Sequence, residues 1–449
     1  MKNYSRSLIA LATLACLACG GDAFAAPTKA AWTLLIYQDA DNNLEKPAMV
    51  NLNEMLRAEI GPEAPILVLC DRSPLSEPQD EYTDEAVGGL KDWSGAKLLA
   101  AQKGKLIEIE NWGDVNMADP KTLKRFLDAA VKVAPAEHYG LIISDHGDGW
   151  SELCVDETHH DDALTLRGLR GALEEFAAKQ GKLDLVGLDA CLMGNFETAQ
   201  ALAPVAHVLV ASEEFEPAHG WNYTALLNAL HKNPALTGPE LGKIAAESYY
   251  QYYAAADGGG RGASSAITMS AISLDRLDPL QKALTALGDV GQKVLHARPR
   301  AGWVRLARAR ADSEEYGSEG GRGRGGEEMH DLQHIARIMQ TPDEPELSAA
   351  AKTVEDAAKA VIIYNAHGAD RPHSTGLSIY FPVDGLRDFD PHARDYRLKT
   401  FAMESRWIHF LALYAYAVSA AARDPRLKPV RVRLHQAHYG SQRNARRRY

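Results

Sequence analysis

Cysteine is scarce in this 449-residue chain: there are five, and Cys16 and Cys19 fall in an apolar N-terminal stretch. Cys70, Cys154 and Cys191 are left for the body, an odd number and too few for the disulfide framework of a small exported scaffold. A Cys70–Cys154 bridge with Cys191 free is one arrangement open to them. Positive charge is short as well. The formal charge is −11, which argues against nucleic-acid binding, because a phosphate-tracking face needs a basic excess. Long apolar runs are missing beyond the N-terminus. The best candidate, Trp407–Ala422, falls short of the ~20 residues a bilayer requires. It carries His409, Tyr414 and Tyr416 and reads as a core helix, so no transmembrane segment is expected. No internal repeat is apparent.

The ends of the chain differ from its body. Lys2 and Arg6 precede the apolar stretch Leu8–Cys19, and Ala23-Phe24-Ala25 fits a small-x-small cleavage site. Residues 1–25 therefore read as a signal peptide, and the mature protein is expected in a periplasm or outside the cell. Lipidation at Cys19 fits less well, because the leucine sits one position from its usual place. At the other end, residues 423–449 hold nine lysines and arginines against Asp424 alone, a basic tail that reads as a solvated extension.

Between these ends, short apolar runs alternate with helical patterns. Strands are expected at Trp32–Tyr37, Pro65–Cys70, 105–109, Gly140–Ser144, Asp184–Leu188 and His207–Ala211. Helices are expected at Leu44–Glu59, Pro120–Val133, Thr165–Lys179 and onward from Gly194. Continuous apolar strands separated by helices signify a parallel sheet covered on both faces. The reading is an α/β doubly wound sandwich over residues 32 to about 260. Asp257–Gly262 is expected as a flexible joint, followed by a strand at Ala266–Ile272 and a helix at Asp275–His296. A glycine-rich loop is expected at 313–328. Helices at 329–340, 346–364 and 403–422 then bracket a strand at Gly376–Phe381. Residues 26–262 form the expected first domain, and 263–422 a mainly helical α/β portion packed on it.

Two strands run straight into reactive side chains, His146 after Leu141–Ser144 and Cys191 after Leu185–Asp189. Carboxyl ends of parallel strands are where α/β proteins place their chemistry. If the two meet, Cys191 is a nucleophile and His146 the base that then protonates a leaving group. The N–H groups of Gly147 and Cys191 would hold an oxyanion. Helix dipole and free N–H groups at the turn ahead of Gly194 would favour a thiolate. Either residue alone has a plain structural reading, a satisfied loop histidine or a buried apolar thiol. His159-His160 makes no zinc pair, since neighbouring histidines rarely face one ion and no spaced partner follows; no metal ligand is assigned.

These segments resemble the clostripain family of cysteine peptidases, relatives of caspases, legumain and gingipains. Tyr37-Gln38-Asp39-Ala40-Asp41-Asn42-Asn43-Leu44-Glu45 is similar to the family's opening strand and loop. His146-Gly147-Asp148-Gly149-Trp150 and Asp189-Ala190-Cys191-Leu192-Met193 resemble its two catalytic segments, in the family's order. Ser212-Glu213-Glu214 with Pro217 and Gly220–Tyr223, and Gly376–Pro382, resemble further stretches. The resemblance implies a caspase-like α/β/α sandwich, a Cys–His dyad with no obligatory third member, and endopeptidase cleavage after Arg and, less readily, Lys. Asp189 matches the acidic residue of the family's specificity pocket, where a carboxylate pairs best with the planar guanidinium. Glu213, Glu214 and Glu216 are added as candidate pocket residues.

The resemblance implies no cofactor for the chemistry but calcium and self-cleavage in the family. Asp156, Glu157, Asp161 and Asp162 offer hard oxygen ligands, without a regular loop motif. Arg167 and Arg170 fall in an expected helix, so Arg322, Arg324 or the basic tail are better self-cleavage targets. The expected partners are Arg- or Lys-containing peptides, and the expected state is a monomer. Two other readings share the fold: a non-catalytic peptide-binding or adhesion protein, and a cysteine acyl-transferase or ligase using the same acyl-enzyme.

Overall fold

The structure is a computed structural model that describes residues 29–75, 78–254, 265–317, 328–382 and 386–422. The signal segment, the joint at 257–262, residues 318–327 of the glycine-rich loop and the basic tail lie outside the described residues. The strands in chain order are β1 (Ala30–Ala40), β2 (Ile66–Arg72), β3 (Gly95–Gln102), β4 (Lys105–Gly113), β5 (Ala136–Ser144), β6 (Leu153–Asp156) and β7 (Asp162–Leu164). They continue as β8 (Leu185–Asp189), β9 (Val208–Ala211), β10 (Thr268–Ser273), β11 (Glu315–Tyr316), β12 (Met329–Asp331), β13 (Ile362–His367) and β14 (Ser378–Tyr380).

Nine of them form one sheet in the order β13-β10-β9-β8-β5-β1-β2-β3-β4. The centre, β9-β8-β5-β1-β2, is parallel throughout; β3 and β4 on one edge and β10 and β13 on the other are antiparallel. The central runs are apolar on both faces because both are covered. Along β1, Trp32, Leu34 and Ile36 join one core, with Met49, Leu52, Leu226 and Tyr249 from the helices Glu45–Arg57, Tyr223–Lys232 and Gly238–Ala254. Leu35 and Tyr37 face the other, with Phe126, Leu173 and Leu284 from the helices Pro120–Val133, Leu166–Gln180 and Leu277–Ala297. That two-residue alternation is the pleat of the strand, and its result is the expected α/β/α sandwich.

The edges differ from the sequence reading. β3 was not expected: its Lys-Leu-Leu-Ala-Ala-Gln run has helix-forming residues, and the hairpin through Gly104, at φ +77°, turns it back into β4. The helix expected through 364 stops at Val361, and the chain continues as β13. Residues 329–331 are a strand, after which Asp331 caps the helix Leu332–Ile338 by accepting from the His334 N–H at 2.7 Å. The helices Gly238–Ala254 and Pro299–Asp312 have no counterpart among the expected elements. Through β10 and β13 the segment after residue 263 extends the same sheet. Cys70 and Cys154 are both buried and unbridged. No helix among the described residues is long and apolar enough to cross a membrane.

Candidate active site

The pairing of β5 with β8 sets Ser144 opposite Asp189, so the segments 145–147 and 190–192 leave the sheet side by side. The Asp145 N–H donates to the Asp189 carbonyl at 3.2 Å. Gly147 then passes so close that a Cβ there would lie 2.5 Å from the Cys191 carbonyl oxygen, which demands glycine. Leu192 adopts φ +65°, a left-handed conformation that a branched residue rarely takes. The strained turn presents Cys191 at the sheet edge.

The thiol of Cys191 accepts the Glu216 N–H at 3.3 Å, and its Sγ lies 3.8 Å from the Glu216 carbonyl oxygen. Burial pushes the Cys191 pKa up to about 12, and the negative charges of Glu216, Glu214 and Asp189 push the same way, while the Glu216 N–H opposes them. The helix that follows begins only at Phe196, and its cap Asn195 accepts the Thr198 N–H at 2.8 Å. The expected help from that helix therefore gives way to the Glu216 N–H.

His146 is held from a third strand. Its Nε2 donates to Asn43 Oδ1 at 2.7 Å, which leaves Nδ1 as the basic nitrogen. Burial lowers its pKa, which favours the neutral imidazole. It makes no hydrogen bond to Cys191, a looseness common before substrate binds. Asn42 beside it donates to Asp145 Oδ1 at 2.7 Å and to the Val155 carbonyl at 2.9 Å. Together Asn42 and Asn43 tie the loop after β1 to the loop after β5. Neither asparagine was assigned a role from sequence; the signal available was their position directly after a strand, at the carboxyl edge of the sheet.

The N–H groups of Gly147 and Cys191 find no hydrogen-bond partner among the described residues. Around Gly147 the ladder bonds run from Cys154 N to the His146 carbonyl at 3.1 Å and from Asp148 N to the Glu152 carbonyl at 2.9 Å. Gly147 itself is skipped. Two unpaired donors beside a thiol are what a tetrahedral oxyanion requires.

Two acids with buried carboxyl oxygens, Asp189 and Glu216, lie close to Cys191. Asp189 is buried and accepts from the Tyr223 hydroxyl at 2.7 Å, the Trp221 N–H at 3.4 Å and the Ser144 hydroxyl at 3.4 Å. Gly220, at φ +61°, is forced, since a Cβ there would lie 2.7 Å from the Asp189 carboxyl oxygens. Burial raises Asp189 to about 6 against those donors. The Glu216 carboxyl abuts Asp189, and its pKa stands well above the usual range, from burial first and the Asp189 charge second. The Trp221 indole and the Ala190 N–H approach it, yet both Glu216 oxygens are buried without a well-aligned donor. No lysine, arginine or histidine pairs with either acid among the described residues.

The other candidate acids are committed elsewhere. Glu213 accepts from Ser374, Tyr316 and the Gly376 N–H at the three-stranded sheet β11-β12-β14. Glu214 pairs with Arg371. Of the three candidate acids, Glu213 and Glu214 hold the segment after β9 against the later part of the chain, while Glu216 lies against Asp189.

Of the acids considered for calcium, only Asp156 sits in a cluster. Asp41, Asp156 and His159 bring ligand atoms within 4.8 Å of one another, as do Asp39, Asp145 and Cys154. Asp41 Oδ1 is buried without a partner, a donor set that fits a hard cation in part. Asp162 instead accepts from Asn116 at 2.8 Å, and Asp161 and His160 are exposed. Two surface clefts of about 570 and 630 Å³, beside the helices Pro120–Val133 and Pro299–Asp312, lie away from Cys191.

Comparison with known proteins bears on the family and the fold. Over 229 residues the chain is 28% identical to clostripain of Hathewaya histolytica, a match covering 44% of this chain and 42% of that relative, so less than half of the relative's length is spanned. A secreted C11 cysteine protease from Bacteroides thetaiotaomicron, solved with an irreversible peptide inhibitor, superposes with a TM-score of 0.58 at 20% identity. That match covers 84% of this chain and 99% of that one. An inactive zymogen C11 protease from Parabacteroides distasonis gives the same score and identity over 84% and 100%. At such identity the likeness speaks for the fold. The Peptidase_C11 model, described as the clostripain family, matches residues 36–414, and the chain belongs to that family.

Proposed function

We propose that this protein is an exported, monomeric cysteine endopeptidase that cuts after arginine, and less readily after lysine, through Cys191 and His146. The observation that supports the specificity is the pair of buried carboxyls, Asp189 and Glu216, close to the thiol and without an ion-pair partner among the described residues. A guanidinium there would supply the donors that Glu216 lacks and share a bidentate contact with Asp189. An ammonium offers a point charge without the fork.

In the reaction the Cys191 thiol passes its proton to His146 Nδ1, and Sγ attacks the carbonyl carbon. The N–H groups of Gly147 and Cys191 take the oxyanion. The tetrahedral species collapses to an acyl-enzyme as His146 returns the proton to the leaving amine; water, deprotonated by the same ring, then releases the new carboxyl end. Asn43 fixes the tautomer this sequence needs.

Calcium enters this reading as a structural ion: Asp41 and Asp156 are the residues suited to hold it, and no chemical step passes through it. A rise in Tm with added calcium, reversed by chelator, would support it. Self-cleavage at Arg322, Arg324 or in the basic tail would show as a mass difference between the wild type and Cys191→Ala; identical termini would sink it. The decisive experiment incubates the protein with peptides carrying Arg, Lys, Asp or Asn before a reporter group, alongside Cys191→Ala. Release after Arg and Lys alone is expected. Cleavage after Asp, or activity surviving the substitution, overturns the assignment.

A further inference from the structure

The carboxyls that await the substrate also face the nucleophile. Glu216 touches both partners: its main-chain N–H bonds Cys191 Sγ at 3.3 Å, and its side chain lies against Asp189. Asp189 itself is only two residues before Cys191. Among the described residues Glu214 is ion-paired with Arg371, and neither Asp189 nor Glu216 has such a partner. The remaining titratable groups near these acids among the described residues are three phenols and His219, which Glu54 holds above the usual histidine pKa and which also feels the Asp189 charge. Tyr223, Tyr249 and Tyr253 are phenols held protonated chiefly by burial, and His219 is turned to Glu54 at 3.7 Å. His146 is engaged by Asn43 rather than by the thiol.

We propose that Asp189 and Glu216 act as an electrostatic brake on Cys191, released when a cationic side chain of the substrate settles between them. This rests on the reading of the pocket as the site for arginine or lysine. In the empty enzyme Glu216 keeps its proton and shares it with Asp189, and the one negative charge of the pair opposes a second anion on sulfur in a poorly hydrated site. The thiol therefore stays protonated beside a neutral imidazole, consistent with the upward shift at Cys191 and the downward one at His146. A bound guanidinium cancels the opposing charge. The proton then moves from Sγ to His146 Nδ1, with no change in the total, and the sulfur becomes nucleophilic only when a substrate of the right class is in place. Departure of the cationic product restores the thiol. The pocket would thus raise reactivity toward correct substrates as well as bind them, and would leave the resting thiol poorly reactive toward neutral electrophiles.

The test is the rate at which iodoacetamide, a neutral reagent, alkylates Cys191 in the full chain at pH 7, read from the mass of the Cys191 peptide. It is measured with and without methylguanidinium, which carries the cation but no peptide bond. Saturable acceleration of about tenfold is expected, the effect of roughly one pKa unit on the thiolate fraction. Asp189→Asn, which removes the charged member of the pair, should alkylate about tenfold faster than wild type without the cation, lose most of the acceleration, and yet cleave Arg peptides more slowly. A purely structural Asp189 would not raise one rate while lowering the other. Methylguanidinium that inhibits Arg-peptide cleavage competitively but leaves wild-type alkylation unchanged or slower overturns the brake and leaves the pocket reading standing. Methylguanidinium that does neither overturns both.

Discussion

Two groups of buried carboxyls flank the candidate dyad, and they are built on opposite plans. On the histidine side, Asp145 accepts from Asn42 and from the Val155 N–H at 2.5 Å, and Asp156 from the Met117 N–H at 2.9 Å and the His159 N–H at 3.1 Å. Those acids knit loops together. On the cysteine side, the Glu216 oxygens meet no aligned donor, and glycine rather than a side chain stands over Asp189. Burying an acid without donors costs stability, so a pocket that keeps one is provisioned for something that arrives from outside. Asp145 and Glu216 thus differ in satisfaction rather than in acidity.

Substitutions break that comparison in order of size. Loss of either reacting group, Cys191→Ala or His146→Ala, is expected to lower kcat by about 10³-fold or more with the far-UV spectrum unchanged. Asp189→Asn should lower kcat/KM for Arg peptides by about 10²-fold, as truncating one partner of a buried ion pair does. Glu216→Gln, which replaces the acid that no aligned donor meets, should hold or raise Tm. Asp145→Asn should do the reverse: Tm falls, since a donor replaces an acceptor facing Asn42 and Val155, and activity falls only as the loop loosens. Equal Tm changes for the two would erase the distinction.

Asn43→Ala is a smaller probe. Removing one hydrogen bond to the ring, worth ~1 kcal/mol, should lower kcat about fivefold with KM little changed, and Asn43→Asp should recover part of the loss. A change confined to KM would place Asn43 among substrate contacts instead.

How much of this was legible beforehand follows from which contacts are local. The parallel strands and the two segments ending in His146 and Cys191 were readable, because a doubly covered strand is apolar throughout and a loop glycine is visible in sequence. β3 was not, because its alanines and leucines are neutral about strand or helix until β2 and β4 pair with it. Within the acidic run after β9 the side chain facing Asp189 was equally hidden. Glu213, Glu214 and Glu216 are chemically alike, and the choice among them is made by Ser374, Tyr316 and Arg371, 100 or more residues later. Asn43 reaches His146 across 103 residues of sequence, and only the adjacency of β1 and β5 brings them together.

The smallest effect concerns pH. Asp71 is pushed up to about 9, by burial first and then by the charges of Asp41 and Asp156, and Asp145 to about 8, by burial. Both groups hold their proton more tightly when folded than when unfolded, where a carboxyl titrates near 3.9. The folded state therefore binds more protons across the window between those values, and stability must fall as pH rises through it. Their contribution is fully present below about pH 4 and is lost as pH passes 8 to 9. Tm measured from pH 5 to pH 9 should decline by several degrees. Asp71→Asn, which has no proton to lose, should flatten the upper part of that decline while leaving the cysteine-side pocket and its Arg preference intact. A wild-type Tm that climbs toward pH 9 would mean that the histidine-side carboxyls are ionised in the fold and balanced by a cation, making that side, too, a place for something from outside.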